Sequence, residues 1–144
     1  MVESRNGIYI AWNVFEDYAV KGSLVLKETV LYALSRLLPE PTLRTTLKAQ
    51  GTVTLQKQAS KSRYVQHALY ASPVRRGKGV EVIEDILPVY HVSMELRIPE
   101  AVNAVYLAPQ RKPLDFKQDG EKLTYVIPEL ECHQMVVLEY GKPE

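Results

Sequence analysis

The last third of the chain is dominated by short runs in which apolar and polar residues alternate. Between Ser93 and Tyr140, each run is closed by Pro, Gly or Asp. The clearest row with a period of two is Val92, Met94, Leu96 and Ile98. Alternation of this kind is typical of antiparallel strands that bury one face. The pattern therefore predicts a meander of antiparallel strands in an all-β sandwich.

The same alternation extends back to Pro41 and predicts about eight strands, spaced by turn signals roughly 8–12 residues apart. That spacing favours a sandwich or jelly roll over a parallel α/β sheet. In the second strand, Val65, His67 and Leu69 are expected to share the apolar face. The predicted strands are Thr52–Gln58, Arg63–Ala71, Val80–Leu87, Val92–Ile98, Asn103–Ala108, Leu114–Phe116, Lys122–Ile127 and Gln134–Tyr140.

The first 41 residues follow a different pattern. Gly7–Trp12 is a β-branched and aromatic run that predicts a strand, and Asn13–Gly22 is expected to be an aromatic-rich loop. In Ser23–Leu38 the apolar period changes to that of a helix, which Pro39 ends by disfavouring helical geometry at the residue before it. The predicted apolar face of this helix contains Leu24, Leu31, Leu34 and Leu38, widened by Val30 and Leu37.

The predicted fold is therefore mainly β: an antiparallel sandwich of about eight strands, with one N-terminal strand and one α-helix. The expected division is a strand–loop–helix segment at 1–41 and a sandwich domain at 42–144. Two interpretations of the first segment remain open. It is either the tail of a preceding α/β domain, or a helix that covers one face or end of the sandwich.

Composition excludes several classes of function. The 144 residues carry a net charge of +1, which gives no concentrated basic field for a nucleic acid or a membrane surface. No apolar run approaches the roughly 20 residues that span a bilayer. Cys132 is the single cysteine, so an internal disulfide is excluded. A reducing, cytoplasmic setting is the expectation.

Carboxylates are densest at Glu81, Glu84 and Asp85. Neighbouring residues of a strand point to opposite faces, so Glu84 and Asp85 are not expected to act as a pair, whereas Glu81 and Asp85 could share a face. The simpler interpretation is a solvated strand edge, with these carboxylates paired to Arg75 or Arg76 in the basic loop nearby. We therefore predict no catalytic residue here.

The three histidines, His67, His91 and His133, could bind a metal only if the fold brought them together, and their spacing gives no reason to expect it. His67 is instead expected to be a hydrogen-bonded core histidine. Cys132 beside His133 invites comparison with a nucleophile and its base, but adjacent strand side chains diverge and no third, orienting group is evident. No metal site and no cofactor are predicted.

Aromatic side chains offer an alternative, since sugar-binding modules stack rings on pyranose faces and β-sandwiches can host them. Ordinary packing is the simpler interpretation for most of the tyrosines. The rings available for such a platform are Trp12, Tyr18, Tyr64, Tyr70, Tyr90, Tyr106 and Tyr125.

Six segments carry a recognisable pattern: Gly7–Ala19, the leucine-rich run to Pro39, Arg63–Tyr70, Arg75–Gly77, Val82–Ile86 and Leu130–Tyr140. Together they resemble multidomain glycoside hydrolases of the β-galactosidase and fucosidase-like type. The first part resembles the end of their amidotransferase-like, or trimerisation, domain, and the remainder resembles their C-terminal β-sandwich. The resemblance implies catalytic carboxylates in a (β/α)8 barrel, which alone needs about 250 residues and is not part of this sequence.

The resulting prediction is a non-catalytic C-terminal accessory domain that packs against a catalytic barrel or a neighbouring subunit, with a carbohydrate-binding module as the alternative. Whether the chain has any enzymatic activity of its own is left open. Trp12, Phe15 and Tyr18 are the expected interface anchors, because aromatic side chains dominate interface energetics.

Overall fold

The computed structural model describes residues 1–141 and divides the chain into two compact units. One comprises Met1–Pro41 and the other begins at Thr42. No helix within the described residues is long and apolar enough to cross a membrane.

The first unit contains a β-hairpin followed by two helices. Strands β1 (Val2–Ser4) and β2 (Gly7–Tyr9) pair antiparallel, and helices α1 (Val14–Lys21) and α2 (Leu24–Leu37) follow. Helix α2 confirms the helix predicted in this region. The strand predicted to reach Trp12 ends at Tyr9, and the prediction of a loop over 13–22 was wrong, because α1 occupies it.

Local interactions explain why α1 forms despite its short length. Asn13 precedes the helix and donates a side-chain hydrogen bond to Glu16 (3.1 Å), which stands with Asp17 in the first turn, where acidic groups favour the helix dipole. Lys21 forms an ion pair with Asp17 one turn earlier at 2.7 Å. Gly22 ends the helix in the left-handed region at φ 61°, a geometry that suits glycine.

The second unit contains eleven strands within the described residues, together with a short 3₁₀ helix at Ala59–Lys61. The strands are β3 (Leu43–Thr45), β4 (Thr52–Gln58), β5 (Arg63–Leu69), β6 (Val74–Arg76), β7 (Val80–Val82), β8 (Val89–Arg97), β9 (Val102–Ala108), β10 (Lys112–Pro113), β11 (Phe116–Asp119), β12 (Lys122–Leu130) and β13 (His133–Tyr140).

These strands form two main antiparallel sheets. One has the order β10-β9-β13-β5-β4 and the other the order β11-β12-β8-β3, while β6 and β7 form a separate hairpin. Apolar residues from the inner faces of both sheets make one core, which includes Ala68 and Leu138 from the first sheet and Leu96 and Leu123 from the second. The predicted antiparallel sandwich is confirmed.

Two predictions about individual strands were wrong. The run expected to be a strand over 80–87 is a strand only at Val80–Val82, because it pairs with the three-residue β6 across the glycine-containing turn at Gly77 and Gly79. In β5, the core face carries Tyr64, Gln66 and Ala68 rather than the alternate set. His67 therefore lies on the outer face of the sheet and is not a core histidine.

Candidate docking surface

Helix α2 exposes the apolar face that was predicted from its sequence. Leu24, Leu31, Leu34 and Leu38 are all exposed, although they follow the helical period. Ala33 is the buried residue of this helix. We call these four residues the leucine stripe. An exposed stripe of this kind is normally covered by another structural element.

Three aromatic side chains next to the hairpin are also exposed. Phe15 is 71% exposed, and Trp12 and Tyr18 are 43% and 41% exposed. Phe15 and Tyr18 stand three residues apart on α1 and so share one helical face. Trp12 and Phe15 line a concavity of about 530 Å³ at the end of β2 and the start of α1. We call Trp12, Phe15 and Tyr18 the aromatic cluster.

The first unit has almost no core of its own. Of its 41 residues, only Val14 and Ala33 are buried. The exposed pair of Glu3 with Arg36, with Nη2–Oε1 at 3.1 Å, links β1 to α2 but adds little stability in solvent. Segments of about 40 residues rarely stabilise themselves without a disulfide, a metal or a partner. The leucine stripe and the aromatic cluster together make up the candidate docking surface.

The sandwich carries a separate groove on the outer face of its four-stranded sheet, with a volume of about 860 Å³. Its lining includes Ser93, Thr124 and Val126, together with Glu95, which forms an ion pair with Lys122 at 2.9 Å. His91 also lines the groove with an unusual positive φ of 54°. The groove offers polar and apolar contacts side by side.

The acidic cluster lies on the three-residue strand β7 and in the segment that follows it. Glu84 accepts two hydrogen bonds from Arg76, one of them from Nε at 3.0 Å, as the simpler interpretation predicted. The strand that was expected to place Glu81 and Asp85 on one face ends at Val82, so the premise of that pairing was wrong. None of the three carboxylates lines the groove on the sandwich.

The structure brings two of the three histidines together. His67 Nδ1 and His133 Nε2 are 3.0 Å apart, while His91 lies on the other sheet. Sequence reasoning missed this pair because it depends on the register between β5 and β13, two strands far apart in the chain. Cys132 lies in the turn before β13 as a free, half-buried thiol with φ 54°.

Two of the seven rings considered for sugar stacking belong to the core. Tyr64 and Tyr125 are buried, and Tyr125 is nearly inaccessible. Tyr106 is half-buried and donates a hydrogen bond to Glu139 at 2.7 Å, and burial together with that carboxylate raises the pKa of its hydroxyl. The structure therefore does not assemble the full set into one platform.

A charged cluster stands beside the core at the ends of β4 and β5. Glu100 accepts hydrogen bonds from Lys57 and from the hydroxyl of Tyr64, the latter at 2.8 Å. The Lys57 ammonium lowers the pKa of Glu100, and Glu100 in turn raises the pKa of Lys57. Lys57 also stands over the ring of Tyr140, 5.6 Å from its centroid. This cluster holds polar groups in place and lines neither concavity.

No protein-family model and no curated protein match the chain. Among solved structures, α-L-fucosidase isoenzyme 2 from Paenibacillus thiaminolyticus matches 99% of this chain with a TM-score of 0.93 and 60% sequence identity. The chain is similar to one segment of this α-L-fucosidase. The predicted resemblance to fucosidase-like glycoside hydrolases is thereby confirmed.

The match covers only 22% of the fucosidase chain. Most of the fucosidase therefore has no counterpart in the sequence described here. Because nearly the whole chain is matched, the similarity includes both the hairpin-and-helix unit and the sandwich.

Proposed function

We propose that this chain acts as a non-catalytic C-terminal accessory domain of a fucosidase-like glycoside hydrolase. In this proposal, the docking surface packs against the catalytic barrel or against a neighbouring subunit. The observation that carries it is the first unit, which exposes the leucine stripe and the aromatic cluster while burying only Val14 and Ala33.

The fucosidase match supports a partner of this kind. Most of that chain lies outside the matched segment, so it contains ample protein to cover an apolar surface of this size. Burial of the exposed part of Phe15 alone would contribute about 2–3 kcal/mol, from the area of an aromatic side chain and the usual coefficient for apolar burial. Several such side chains, clustered on one unit, are enough to hold two domains together.

When no other partner is present, a second copy of this chain is expected to cover the docking surface. Self-association of the chain therefore tests the proposal. Sedimentation velocity of the chain over a range of concentrations is expected to show reversible self-association. Phe15→Ser and Trp12→Ser are expected to shift the population toward monomer. Tyr90→Ser is the matched control, because Tyr90 is an exposed aromatic residue of the sandwich.

A strictly monomeric wild-type chain at all concentrations would count against the proposal. So would self-association that survives both substitutions in the aromatic cluster. Each substituted residue is at least two-fifths exposed, so the variants are expected to keep the native fold.

Carbohydrate binding remains the second candidate, supported by the 860 Å³ groove on the sandwich. Its polar side chains, such as Ser93 and Thr124, could pair with sugar hydroxyls beside the apolar surface of Val126. Isothermal titration with a panel of fucosylated oligosaccharides tests it. Saturable heat that is lost in Ser93→Val would favour this function, and no heat with any glycan would eliminate it.

We also propose a reducing, cytoplasmic setting. It is supported by the free thiol of Cys132, since a chain adapted to an oxidising compartment commonly pairs its cysteines.

A further inference from the structure

The outer face of the five-stranded sheet carries a pair of imidazole rings in direct contact. His67 lies on β5 and His133 on β13, which are adjacent strands in the interior of that sheet. Nδ1 of His67 and Nε2 of His133 are 3.0 Å apart, and the ring centroids are 5.2 Å apart. His67 is half-buried and His133 is exposed, so solvent reaches the pair.

Strand register explains how two residues 66 positions apart come to face each other. His67 is directly opposite Met135, and His133 precedes Met135 by two residues, so both histidines lie on one face as diagonal neighbours. Thr54 stands opposite His67 on the other side, on β4. Within residues 1–141, no third His, Cys, Asp or Glu joins the two rings in a metal-binding group.

We propose that His67 and His133 form a two-imidazole chelating site for a late first-row divalent metal ion. This differs from the expectation drawn from the sequence, which predicted no metal site. Imidazole nitrogen suits copper, nickel and zinc, and two such ligands on rigid neighbouring strands are already positioned before the ion arrives.

The distance between the nitrogens favours one coordination angle over another. With metal–nitrogen bonds of about 2.0–2.1 Å, two ligands at a right angle are about 2.9 Å apart, and two at a tetrahedral angle are about 3.3–3.4 Å apart. The observed 3.0 Å is close to the right-angle value. Adjacent positions of a tetragonal or octahedral ion have this angle, so Cu²⁺ and Ni²⁺ fit with less movement than tetrahedral Zn²⁺.

Metal binding requires a defined protonation of both rings. In the free protein, one facing nitrogen carries the proton of the hydrogen bond. When the ion binds, each neutral ring must hold its proton on the nitrogen that faces away, Nε2 of His67 and Nδ1 of His133. Water would fill the other coordination positions of the ion, because the pair is open to solvent.

Titration calorimetry with NiCl₂ on the 144-residue chain without an affinity tag tests the site. Ni²⁺ is the probe because it does not oxidise the thiol of Cys132. We expect one saturable site per chain, with the affinity reduced at least about tenfold in both His67→Gln and His133→Gln, since even removing an outer-shell partner of a metal ligand costs that much. His91→Gln is the matched control and is expected to bind as the wild type does.

Three results would overturn the proposal. They are the absence of saturable Ni²⁺ binding by the wild-type chain, binding that survives both His67→Gln and His133→Gln, and binding that Cys132→Ser abolishes, which would make the thiol a ligand. Thermal unfolding of each variant without metal shows whether the fold is intact. If a glutamine variant is unfolded, Asn at the same position provides the comparison.

Discussion

The hydroxyl of Tyr125 donates a hydrogen bond to the side-chain oxygen of Gln66 across the middle of the sandwich. Tyr125 comes from β12 in the four-stranded sheet and Gln66 from β5 in the five-stranded sheet. Gln66 is fully buried, and its amide stands 3.5 Å from the sulfur of Met94. Burial raises the pKa of Tyr125 far above its usual value, so the hydroxyl stays protonated and able to donate.

Breaking this bond from one side is predicted to destabilise the sandwich. Tyr125→Phe leaves the oxygen of Gln66 without a donor, and Gln66→Leu leaves the hydroxyl without an acceptor, each costing about 1–3 kcal/mol of unfolding free energy. The double variant should cost less than the sum, because neither polar group then remains buried alone. Urea unfolding of the four proteins measures the coupling. Strict additivity would show that the bond carries no stability of its own.

Acid sensitivity is predicted to depend on the pairing of Lys57 with Glu100. The Lys57 ammonium lowers the pKa of Glu100 in the folded protein. The pairing therefore stabilises the fold fully above the pKa of an unfolded glutamate, about 4.3, and this stabilisation is lost as the pH falls through the lower pKa of the folded state. Lys57→Met should therefore lose less stability than the wild type on acidification in that range. Chemical unfolding at a series of pH values measures this.

Lys117→Met serves as the control for that experiment. It also removes one lysine charge from the sandwich, at an exposed position on β11. Its acid profile is expected to follow that of the wild type. Equal profiles for Lys57→Met and the wild type would show that the pair has no part in the response to acid.

The hairpin of β6 and β7 is predicted to depend on its turn glycines. Gly77 and Gly79 have φ of 63° and 75°, where an added Cβ meets no neighbour but the backbone is strained for any other residue. Gly77→Ala should therefore cost about 1 kcal/mol locally, seen as faster amide exchange across the hairpin. Amide exchange in the two main sheets should be unchanged, and unaltered exchange in the hairpin itself would disprove the strain.

The chain alone is predicted not to hydrolyse an aryl α-L-fucoside. The strand that carries Glu81 ends at Val82, before Glu84 and Asp85, and Glu84 is held by Arg76. A chromogenic assay of the purified chain measures this. Hydrolysis that disappears in Glu81→Gln or Asp85→Asn would identify a catalytic role and would replace the accessory-domain proposal.

Much of the fold could be predicted because alternation survives wherever a strand has one buried face. The strand Thr52–Gln58 has the predicted bounds, and β8, β12 and β13 were located to within a few residues. Helix α1 was missed because its stabilising contacts are polar and local, from Asn13 to Lys21, while its eight residues are too short a run to establish a helical period. The early end of β7 was also missed, because it follows from pairing with the three-residue β6, and that pairing leaves no periodic pattern in the sequence.

The candidate sites, too, could be predicted from the sequence only in part. The three residues of the aromatic cluster could be proposed as anchors from residue type, but only the structure shows that they are exposed. The leucine stripe was predicted as a face of a helix, and its exposure depends on what packs against that helix. The pairing of His67 with His133 could not be predicted, because it follows from which strands are neighbours and in which register.

Reconstitution with the rest of a fucosidase tests the central claim most directly. The α-L-fucosidase chain of Paenibacillus thiaminolyticus, with its matched segment removed, would be co-expressed with this chain, and complex formation measured by analytical ultracentrifugation. We expect a stoichiometric complex that Phe15→Ser and Trp12→Ser weaken by about tenfold or more, as for anchor residues of an interface, and that Tyr90→Ser leaves unchanged. A wild-type chain that forms no complex, or a complex indifferent to both aromatic substitutions, would contradict the account.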